Sequence, residues 1–387
     1  MKIGIDKLGF FVPPYVVDMT ELAKARGIEP AKYTVGIGQE KMAVTPITQD
    51  IVSMAANASE MILTNEDKQH IDMILFGTET GIDHSKSAAV YLQRLLGLSN
   101  RVRAAEIKHA CYGTTAALQL AKGHIALNPD SKVLVIASDI SKYGLNSGGE
   151  PTQGAGAVAV LVSANPRVLE LESEISLFTD DVMDFWRPNY ASYPYVDGRF
   201  SNEQYMRFFS EVWHDYCQKT NRDFRDFDAL CFHIPYSKMG LKALKPILDT
   251  YEDESVKERL YTRYQLATLY NRQIGNVYTG SLFVSLISLL EKDTSLQAGN
   301  RIGLFSYGSG AVGEFLTGVL VEGYQQQLYA SKHQALLDNR KVLTIPEYEE
   351  VFLNVPKVTD EPQEFFVSDD NSSHQLVGIV DHKRQYK

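Results

Sequence analysis

Three polar residues stand where an α/β protein commonly places reactive groups: Cys111, His233 and Asn276. Cys111 follows an apolar run and precedes a helical segment, so its sulfur is expected at a helix N-terminus, where free N–H groups favour a thiolate. His233 ends a second apolar run just before Pro235, and Asn276 opens another apolar helix. Together the three would supply a nucleophile, a proton donor or acceptor, and an amide that orients either one.

Glu79, a glycine motif and two lysines could support that chemistry. Glu79 ends the apolar run MILFGTE, where a carboxylate with a raised pKa would suit a general base; a glutamate emerging into solvent is the plainer alternative. The motif SYGSGAV at 306–312 could present N–H groups to an oxyanion, although small residues in a hairpin explain it equally well. Lys238 and Lys242 could contact a phosphorylated ligand from one helix face, or simply be solvated.

The other cysteines and most histidines are expected to be structural or solvated. Taken alone, even Cys111 and His233 would more often be packing residues than catalysts. Cys217 and Cys231 lie in aromatic or apolar stretches and are expected to pack. The odd number of cysteines, without paired spacing, indicates neither a disulfide framework nor a zinc site. Histidines in polar surroundings are expected to be solvated: His70, His333, His374 and His382.

Apolar runs that alternate with helical segments position these residues and indicate an α/β protein. The predicted strands are 3–5, 73–77, 102–107, 133–137 and 157–162. The predicted helices are 50–62, 85–96 and 112–127, each with a capping or breaking residue at an end.

Four features of the first half of the chain return in the same order in the second half. The paired segments are 76–79 with 232–235, 111–118 with 276–283, 133–138 with 301–306, and 154–158 with 308–312. Four ordered matches indicate a duplicated fold with the site between its halves. The predicted division is 1–165 for the first half, 166–220 for an inserted aromatic and acidic segment, 221–325 for the core of the second half, and 326–387 for a polar appendage of that half.

The composition is that of a globular chain long enough for a large two-lobed core. Of 387 residues, 44% are hydrophobic and 22% are charged. The net charge of −10 argues against a nucleic-acid or membrane-surface binder, because no basic surplus exists to neutralise phosphates. No stretch approaches the roughly 18 apolar residues of a membrane span, and the N-terminal residues do not resemble a signal peptide, so a soluble cytoplasmic protein is expected.

These residues together resemble the 3-hydroxy-3-methylglutaryl-CoA synthase family over nearly the whole chain. The resemblance rests on seven motifs in family order: GIGQEKM (36–42), GTET (77–80), ACYGTTAAL (110–118), YPYVDGRFS (193–201), FHIPYSKM (232–239), GNVYTGSLFVSL (275–286) and LFSYGSGAVGEF (304–315). It implies the α/β thiolase fold, a five-layered αβαβα sandwich of two duplicated halves, and a homodimer of the bacterial type. It implies neither a cofactor nor a metal, because the CoA thioesters are substrates.

The resemblance also implies a three-stage condensation of acetyl-CoA with acetoacetyl-CoA and water, in the mevalonate pathway. Cys111 would take the acetyl group as a thioester, and Glu79 would then remove a proton from its methyl. His233, steadied near Asn276, would hydrogen-bond the acetoacetyl carbonyl and assist its protonation. The N–H groups of Cys111 and Ser309 would form the oxyanion hole. Family positions that shape the substrate cavity fall on Asp139, Tyr143, Thr152, Asp184, Phe185 and Ser201, and the CoA phosphates would meet Lys32, Lys238 and Lys242.

Three other functions fit part of the pattern. A β-ketoacyl synthase III-like enzyme also uses Cys, His and Asn, but it forms its carbanion by decarboxylation and needs no carboxylate such as Glu79. A Cys-His-Asn thiol hydrolase shares the chain order of those three residues, yet the residues around Cys111 lack the papain-type signature. A non-catalytic scaffold with the same fold is opposed by the complete set of reactive residues.

Overall fold

Seventeen strands and twelve α-helices make up the chain, which a computed structural model describes over residues 1–387. The strands are β1 (Ile3–Phe11), β2 (Tyr15–Asp18), β3 (Lys41–Val44), β4 (Ile71–Thr78), β5 (Arg103–Lys108), β6 (Lys132–Ser141), β7 (Gly154–Ala164), β8 (Leu169–Thr179), β9 (Phe185–Trp186), β10 (Tyr195–Val196), β11 (Ala229–Phe232), β12 (Arg301–Gly308), β13 (Val312–Leu320), β14 (Lys341–Val342), β15 (Gln363–Glu364), β16 (Leu376–Val380) and β17 (Lys383–Tyr386). The helices are α1 (Met19–Ala25), α2 (Ile51–Ile62), α3 (Asn65–His70), α4 (Ala88–Leu95), α5 (Gly113–Leu127), α6 (Gly198–Thr220), α7 (Met239–Leu248), α8 (Glu254–Ala267), α9 (Leu269–Ile274), α10 (Ser281–Lys292), α11 (Ala330–Asp338) and α12 (Ile345–Leu353).

The five predicted strands and three predicted helices are all present, with shifted ends. The helix predicted from residue 50 begins as expected, because the Asp50 carboxylate accepts the N–H groups of Val52 and Ser53 at 3.0 Å each. The helix predicted from residue 85 begins later, at Ala88, because Ser87 is its cap and accepts the Ala89 N–H.

Nine strands form one sheet in the order β11-β12-β13-β8-β1-β7-β6-β4-β5. From β8 toward β11, and from β1 toward β5, the strands pair in the same pattern. The first two pairs are antiparallel and the third is parallel. The halves join where Gly4 pairs with Glu170 and Ile5 with Leu169. The duplication predicted from the repeated motifs is therefore visible in the topology.

Helices separate and cover the two half-sheets in five layers. Helices α5 and α10 lie in the middle, within one large apolar cluster that draws on both half-sheets, and ten of the twelve residues of α10 are buried. Helices α2 and α4 cover the first half-sheet, and α6, α7 and α8 cover the second. This confirms the predicted αβαβα sandwich.

The segment 166–220 contributes to the second half more than its composition indicated. Strand β8 pairs with β13 over most of its length, and α6 packs on both strands. Alternating glutamates give β8 a half-exposed pattern, unlike the fully buried strands that the sequence makes obvious. Residues 180–197, with the hairpin β9–β10, lie outside the repeated architecture. The exact division of the chain into halves stays a prediction.

The appendage 326–387 is packed against both halves of the chain. Strand β14 pairs with β2, and α12 joins an apolar cluster with α1 and β3. His333 is fully buried: its Nδ1 lies 2.8 Å from Glu291 Oε1, and its Nε2 accepts the Phe10 N–H at 2.9 Å. The prediction that His333 is solvated is wrong, because these partners compensate its burial. No helix in the chain has the length and apolar character needed to cross a membrane.

Candidate active site

A cavity of about 560 Å³ opens between the two halves. Its walls come from the loops that follow strands of both half-sheets and from the hairpin β9–β10. Eight residues singled out from the sequence line it: Cys111, Tyr143, Thr152, Phe185, Ser201, His233, Asn276 and Ser309.

Cys111 lies in the turn before α5, whose first helical residue is Gly113. Burial raises the pKa of its thiol well above the usual range, and the carboxylates of Asp139, Glu79 and Asp184 raise it further. Burial and these neighbouring carboxyl groups therefore oppose the thiolate that a helix N-terminus would favour. The other two cysteines are free; Cys231 is buried in β11, and Cys217 packs half-buried on α6.

The glycine motif packs directly against the nucleophile turn. A Cβ on Gly308 would lie 2.5 Å from the Cβ of Tyr112, so only glycine permits this approach. The N–H groups of Cys111 and Ser309 donate to no backbone carbonyl. They are free to stabilise a negatively charged oxygen.

His233 is held by its backbone and left free at its ring. Its N–H donates to the Phe305 carbonyl at 2.7 Å, and its carbonyl accepts the Tyr205 hydroxyl at 2.5 Å. Neither ring nitrogen has a hydrogen-bond partner although the residue is only 1% exposed. Burial lowers the pKa of His233 to about 3. A neutral, unpartnered imidazole in a cavity wall is ready to hydrogen-bond a ligand.

Asn276 lines the cavity next to Gly275, a glycine that packs closely against the main chain of the first half. Gly275 has φ of +89°, and a Cβ there would lie 2.1 Å from the carbonyl oxygen of Gln153. The Asn276 Oδ1 accepts the Tyr278 N–H at 2.8 Å and the Ser281 hydroxyl at 3.0 Å. These bonds fix the amide, and its Nδ2 is left to face the cavity.

Glu79 lies just after β4, near the cavity but not in its lining. Burial raises the pKa of Glu79 to about 8, with Asp139 adding to the rise and Arg187 opposing it. The Arg187 Nε lies 3.0 Å from Glu79 Oε1, and its Nη2 donates to the Glu79 carbonyl at 2.8 Å. Sequence reasoning missed Arg187, whose only signal is its position as the lone cation in the aromatic and acidic stretch 180–197.

Asp139 and Asp184 are fully buried outside the cavity lining. Asp139 accepts the Glu79 N–H at 2.8 Å and the Thr279 hydroxyl at 2.6 Å. Asp184 accepts the Tyr307 hydroxyl at 2.8 Å and the Gly310 N–H at 3.0 Å. The geometry thus supports a positioning role for these two carboxylates, and the substrate contact expected from the sequence stays a prediction.

The three candidate CoA lysines lie outside the cavity lining. Lys242 Nζ donates at 2.8 Å to the hydroxyl of Tyr236, which does line the cavity. Lys238 begins the turn into α7, and its N–H donates to the Ile37 carbonyl. Lys32 is exposed and starts the single π-helical turn Lys32–Ile37. Of the three, Lys242 therefore has a direct contact with the cavity lining.

The cavity wall at 143–152 is tied to the C-terminal helix α12. Gln153 Oε1 accepts the Tyr143 N–H at 2.7 Å, and its Nε2 donates to the Tyr348 hydroxyl at 3.0 Å. Tyr348 donates in turn to Glu150 at 3.1 Å, and Glu150 accepts two bonds of 2.8 Å from Arg26. Sequence reasoning left this appendage without a role, because its contacts join residues about 200 positions apart.

Two protein-family models match the chain. Residues 1–167 match "Hydroxymethylglutaryl-coenzyme A synthase N terminal", and residues 171–259 and 251–374 match "Hydroxymethylglutaryl-coenzyme A synthase C terminal".

Individual proteins agree with that match. Hydroxymethylglutaryl-CoA synthase of Enterococcus faecalis is 59% identical over 352 residues, covering 91% of this chain and 92% of that protein. A 3-hydroxy-3-methylglutaryl-ACP synthase of polyketide biosynthesis in Bacillus subtilis is 31% identical, covering 91% of this chain and 88% of that protein. A crystal structure of an HMG-CoA synthase complexed with CoA superimposes with a TM-score of 0.97 at 44% identity, covering 100% of this chain and 99% of that one.

Proposed function

The chain belongs to the hydroxymethylglutaryl-CoA synthase family, and we propose that it condenses acetyl-CoA with acetoacetyl-CoA and water to 3-hydroxy-3-methylglutaryl-CoA and CoA. The observation that carries the proposal is one cavity that unites a cysteine thiol, an unpartnered imidazole and two free N–H groups beside a buried carboxylate. The product fits a place in the mevalonate pathway and a cytoplasmic enzyme of the bacterial type.

In the first stage, Cys111 Sγ attacks the thioester carbonyl of acetyl-CoA. The carbon–sulfur bond to CoA breaks as the bond to Cys111 forms, and the thiol proton ends on the departing CoA sulfur. The free N–H groups of Cys111 and Ser309 support this step because they can stabilise the tetrahedral oxyanion.

In the second stage, Glu79 takes a proton from the acetyl methyl. The resulting enolate is stabilised by the same N–H groups and attacks the ketone carbon of acetoacetyl-CoA. The neutral His233 donates a hydrogen bond to that ketone oxygen and assists its protonation. In the last stage, water cleaves the Cys111 thioester, which restores the thiol and releases the product.

The surface lysines and the sheet edge support two further parts of the proposal. Lys32, Lys238 and Lys242 would meet the CoA phosphates; in support, Lys242 contacts the cavity-lining Tyr236, and the chain as a whole is acidic. Strand β5 is one of the two edge strands of the nine-stranded sheet and pairs only with β4, which suits a homodimer. Light scattering at a series of concentrations measures the assembly state.

Release of free CoA thiol tests the proposed reaction. Thiol release is expected with acetyl-CoA plus acetoacetyl-CoA, and 3-hydroxy-3-methylglutaryl-CoA should accumulate in step with it. Replacing acetoacetyl-CoA by malonyl-CoA should give no decarboxylation. Decarboxylation of malonyl-CoA would favour a β-ketoacyl synthase, and thiol release without the carbon–carbon product would indicate a hydrolase.

A further inference from the structure

The hairpin β9–β10 carries an arginine from the second half of the molecule to the carboxylate of the first half. The stretch leading into β9 is anchored on the glycine motif: the Val182 N–H donates to the Gly310 carbonyl at 3.0 Å, and the Ala311 N–H donates to the Asp180 carbonyl at 2.8 Å. Arg187 follows β9 directly and reaches Glu79 at the end of β4. The ion pair therefore joins the hairpin to the first half of the molecule.

Arg187 grips Glu79 at two points and leaves one carboxylate oxygen free. Its Nε contacts Oε1 at 3.0 Å, and its Nη2 donates to the main-chain carbonyl of the same residue at 2.8 Å. The guanidinium thus contacts both the side chain and the main chain of Glu79. These two contacts together restrain the position and the rotation of the Glu79 side chain. No protein group donates to Oε2, which stays available to receive a proton.

The other charged groups near Glu79 cannot stabilise its carboxylate as Arg187 does. Asp139, on β6, accepts the Glu79 N–H and opposes the ionisation of the Glu79 side chain, and Lys108, at the end of β5, exerts a smaller attraction. The thiol of Cys111 and the phenols of Tyr143 and Tyr278 are neutral in the resting protein, because burial raises their pKa values. The Glu79 side chain is 10% exposed, so water contributes little to stabilising its charge.

We propose that Arg187 is a positioning residue for the condensation: its guanidinium favours the ionised form of Glu79 and aims Oε2 at the acetyl methyl. This inference rests on the proposed function for the proton abstraction, but the control of Glu79 ionisation is a property of the free protein. Removing Arg187 leaves a desolvated carboxylate beside Asp139, which becomes protonated and loses its capacity to act as a base.

Two measurements test the proposal on the full chain. Infrared spectroscopy of the free protein follows the carboxylic-acid band that Glu79→Gln removes, over a series of pH values. Deuterium exchange into the acetyl methyl of the acetylated enzyme follows the proton abstraction itself. Both are applied to the parent, Arg187→Met, Arg187→Lys and the control Arg199→Met, whose side chain is 92% exposed and pairs only with Glu203.

In Arg187→Met we expect the infrared midpoint to move up by at least about one pH unit, and exchange at neutral pH to fall about tenfold or more. Exchange should recover at higher pH, acetylation of Cys111 should be unchanged, and Arg187→Lys should restore part of the shift. Arg199→Met should match the parent. Arg187→Gln provides the same test if the methionine variant does not fold.

An unchanged infrared midpoint in Arg187→Met overturns the proposal, whatever the exchange rates. A shifted midpoint in a protein whose parent never acetylates Cys111 overturns instead the function proposed above, and leaves Arg187 as the group that sets the ionisation of Glu79. If Arg187→Met loses exchange at every pH while its infrared midpoint is unchanged, the role of Arg187 is only to anchor the hairpin β9–β10.

Discussion

Tyr348 in α12 and Gln153 behind the cavity wall share a hydrogen bond of 3.0 Å, although they are 195 positions apart in the chain. Because Gln153 also accepts the Tyr143 N–H, Tyr348→Phe should loosen the wall rather than the reactive groups. We expect KM for acetoacetyl-CoA to rise about fivefold, the equivalent of about 1 kcal/mol, with kcat nearly unchanged. Steady-state kinetics measures both, and Tyr190→Phe, at a side chain that is 87% exposed, is the control. A fall in kcat alone would contradict this role.

Cys111→Ser should give a folded protein that takes up no acetyl group, because an alcohol is far less acidic and less nucleophilic than a thiol. Mass spectrometry after incubation with acetyl-CoA should find about one acetyl group on the parent and none on the variant. Cys217→Ser is the matched control and should acetylate like the parent. Acetyl groups found on Cys217 or Cys231 would assign the nucleophile elsewhere.

Glu79→Ala and His233→Ala should fail at different stages. Each should lower condensation by about 100-fold or more, since a positioned acid or base contributes 10² to 10⁴ in rate. Both should still acetylate Cys111. Deuterium exchange into the acetyl methyl should vanish in Glu79→Ala and survive in His233→Ala, which should instead bind acetoacetyl-CoA more weakly. Exchange and condensation that both persist in Glu79→Ala would leave the carboxylate without a catalytic role.

The pH dependence of the exchange step should report Glu79. Burial first, and Asp139 next, raise the pKa of Glu79 to about 8 against the opposing Arg187. The base works as the carboxylate, so exchange should rise about tenfold per pH unit below about 8 and level off above it. His233, whose pKa burial lowers to about 3, should stay neutral throughout this range. A profile that is flat between pH 5 and about 9 would mean that another group limits the step.

Asp67→Ala should destabilise the fold away from the site. Asp67 is buried and accepts from Lys7 at 2.5 Å and Lys132 at 2.6 Å, and Lys7 is itself only 5% exposed. Removing the carboxylate leaves the buried Lys7 ammonium without its partner, which should lower the free energy of unfolding by about 3–5 kcal/mol. The shift of the urea midpoint measures this loss. The combined change of Asp67→Leu with Lys7→Met should recover much of the loss; failure to recover would point to packing rather than charge.

The ion pair of Asp67 with Lys7 should also make the free energy of unfolding depend on pH. Burial works to raise the pKa of Asp67, but hydrogen bonds from Lys132, Lys7 and Thr64 together hold it well below its usual range. A depressed folded pKa contributes stability above the unfolded pKa and loses it as the pH falls toward the folded one. The urea midpoint of the parent should therefore drop on acidification below about pH 4 more steeply than that of the Asp67→Leu, Lys7→Met protein.

The sequence predicted those parts of the molecule that repeat or alternate. Apolar runs such as 73–77 and 133–137 predicted β4 and β6, and the doubled motifs predicted both the two-fold architecture and the meeting of Cys111 with His233 and Asn276. These are local patterns, and the topology of an α/β fold brings their ends together.

The residues that sequence reasoning missed act through long-range contacts. Arg187 meets Glu79 across 108 positions, and Tyr348 meets Glu150 across 198. Neither residue type carries a local signal, since an arginine or tyrosine in a polar stretch is most often solvated. The raised pKa of Cys111 could not be predicted for a related reason: a helix N-terminus, which favours a thiolate, is visible in the sequence, whereas burial and three converging carboxyl groups are not.

Strand β1 is buried along all nine of its residues, and its partners are β7 and β8. During synthesis it leaves the ribosome before either partner, because residues 12–153 separate it from β7. Pairing over such a separation is slow to form, because a long loop must close before any contact rewards it. The apolar segment IGIDKLGFF therefore stays unpaired in the nascent chain until β7 and β8 have been made, so a strand that is synthesised early can be completed only later.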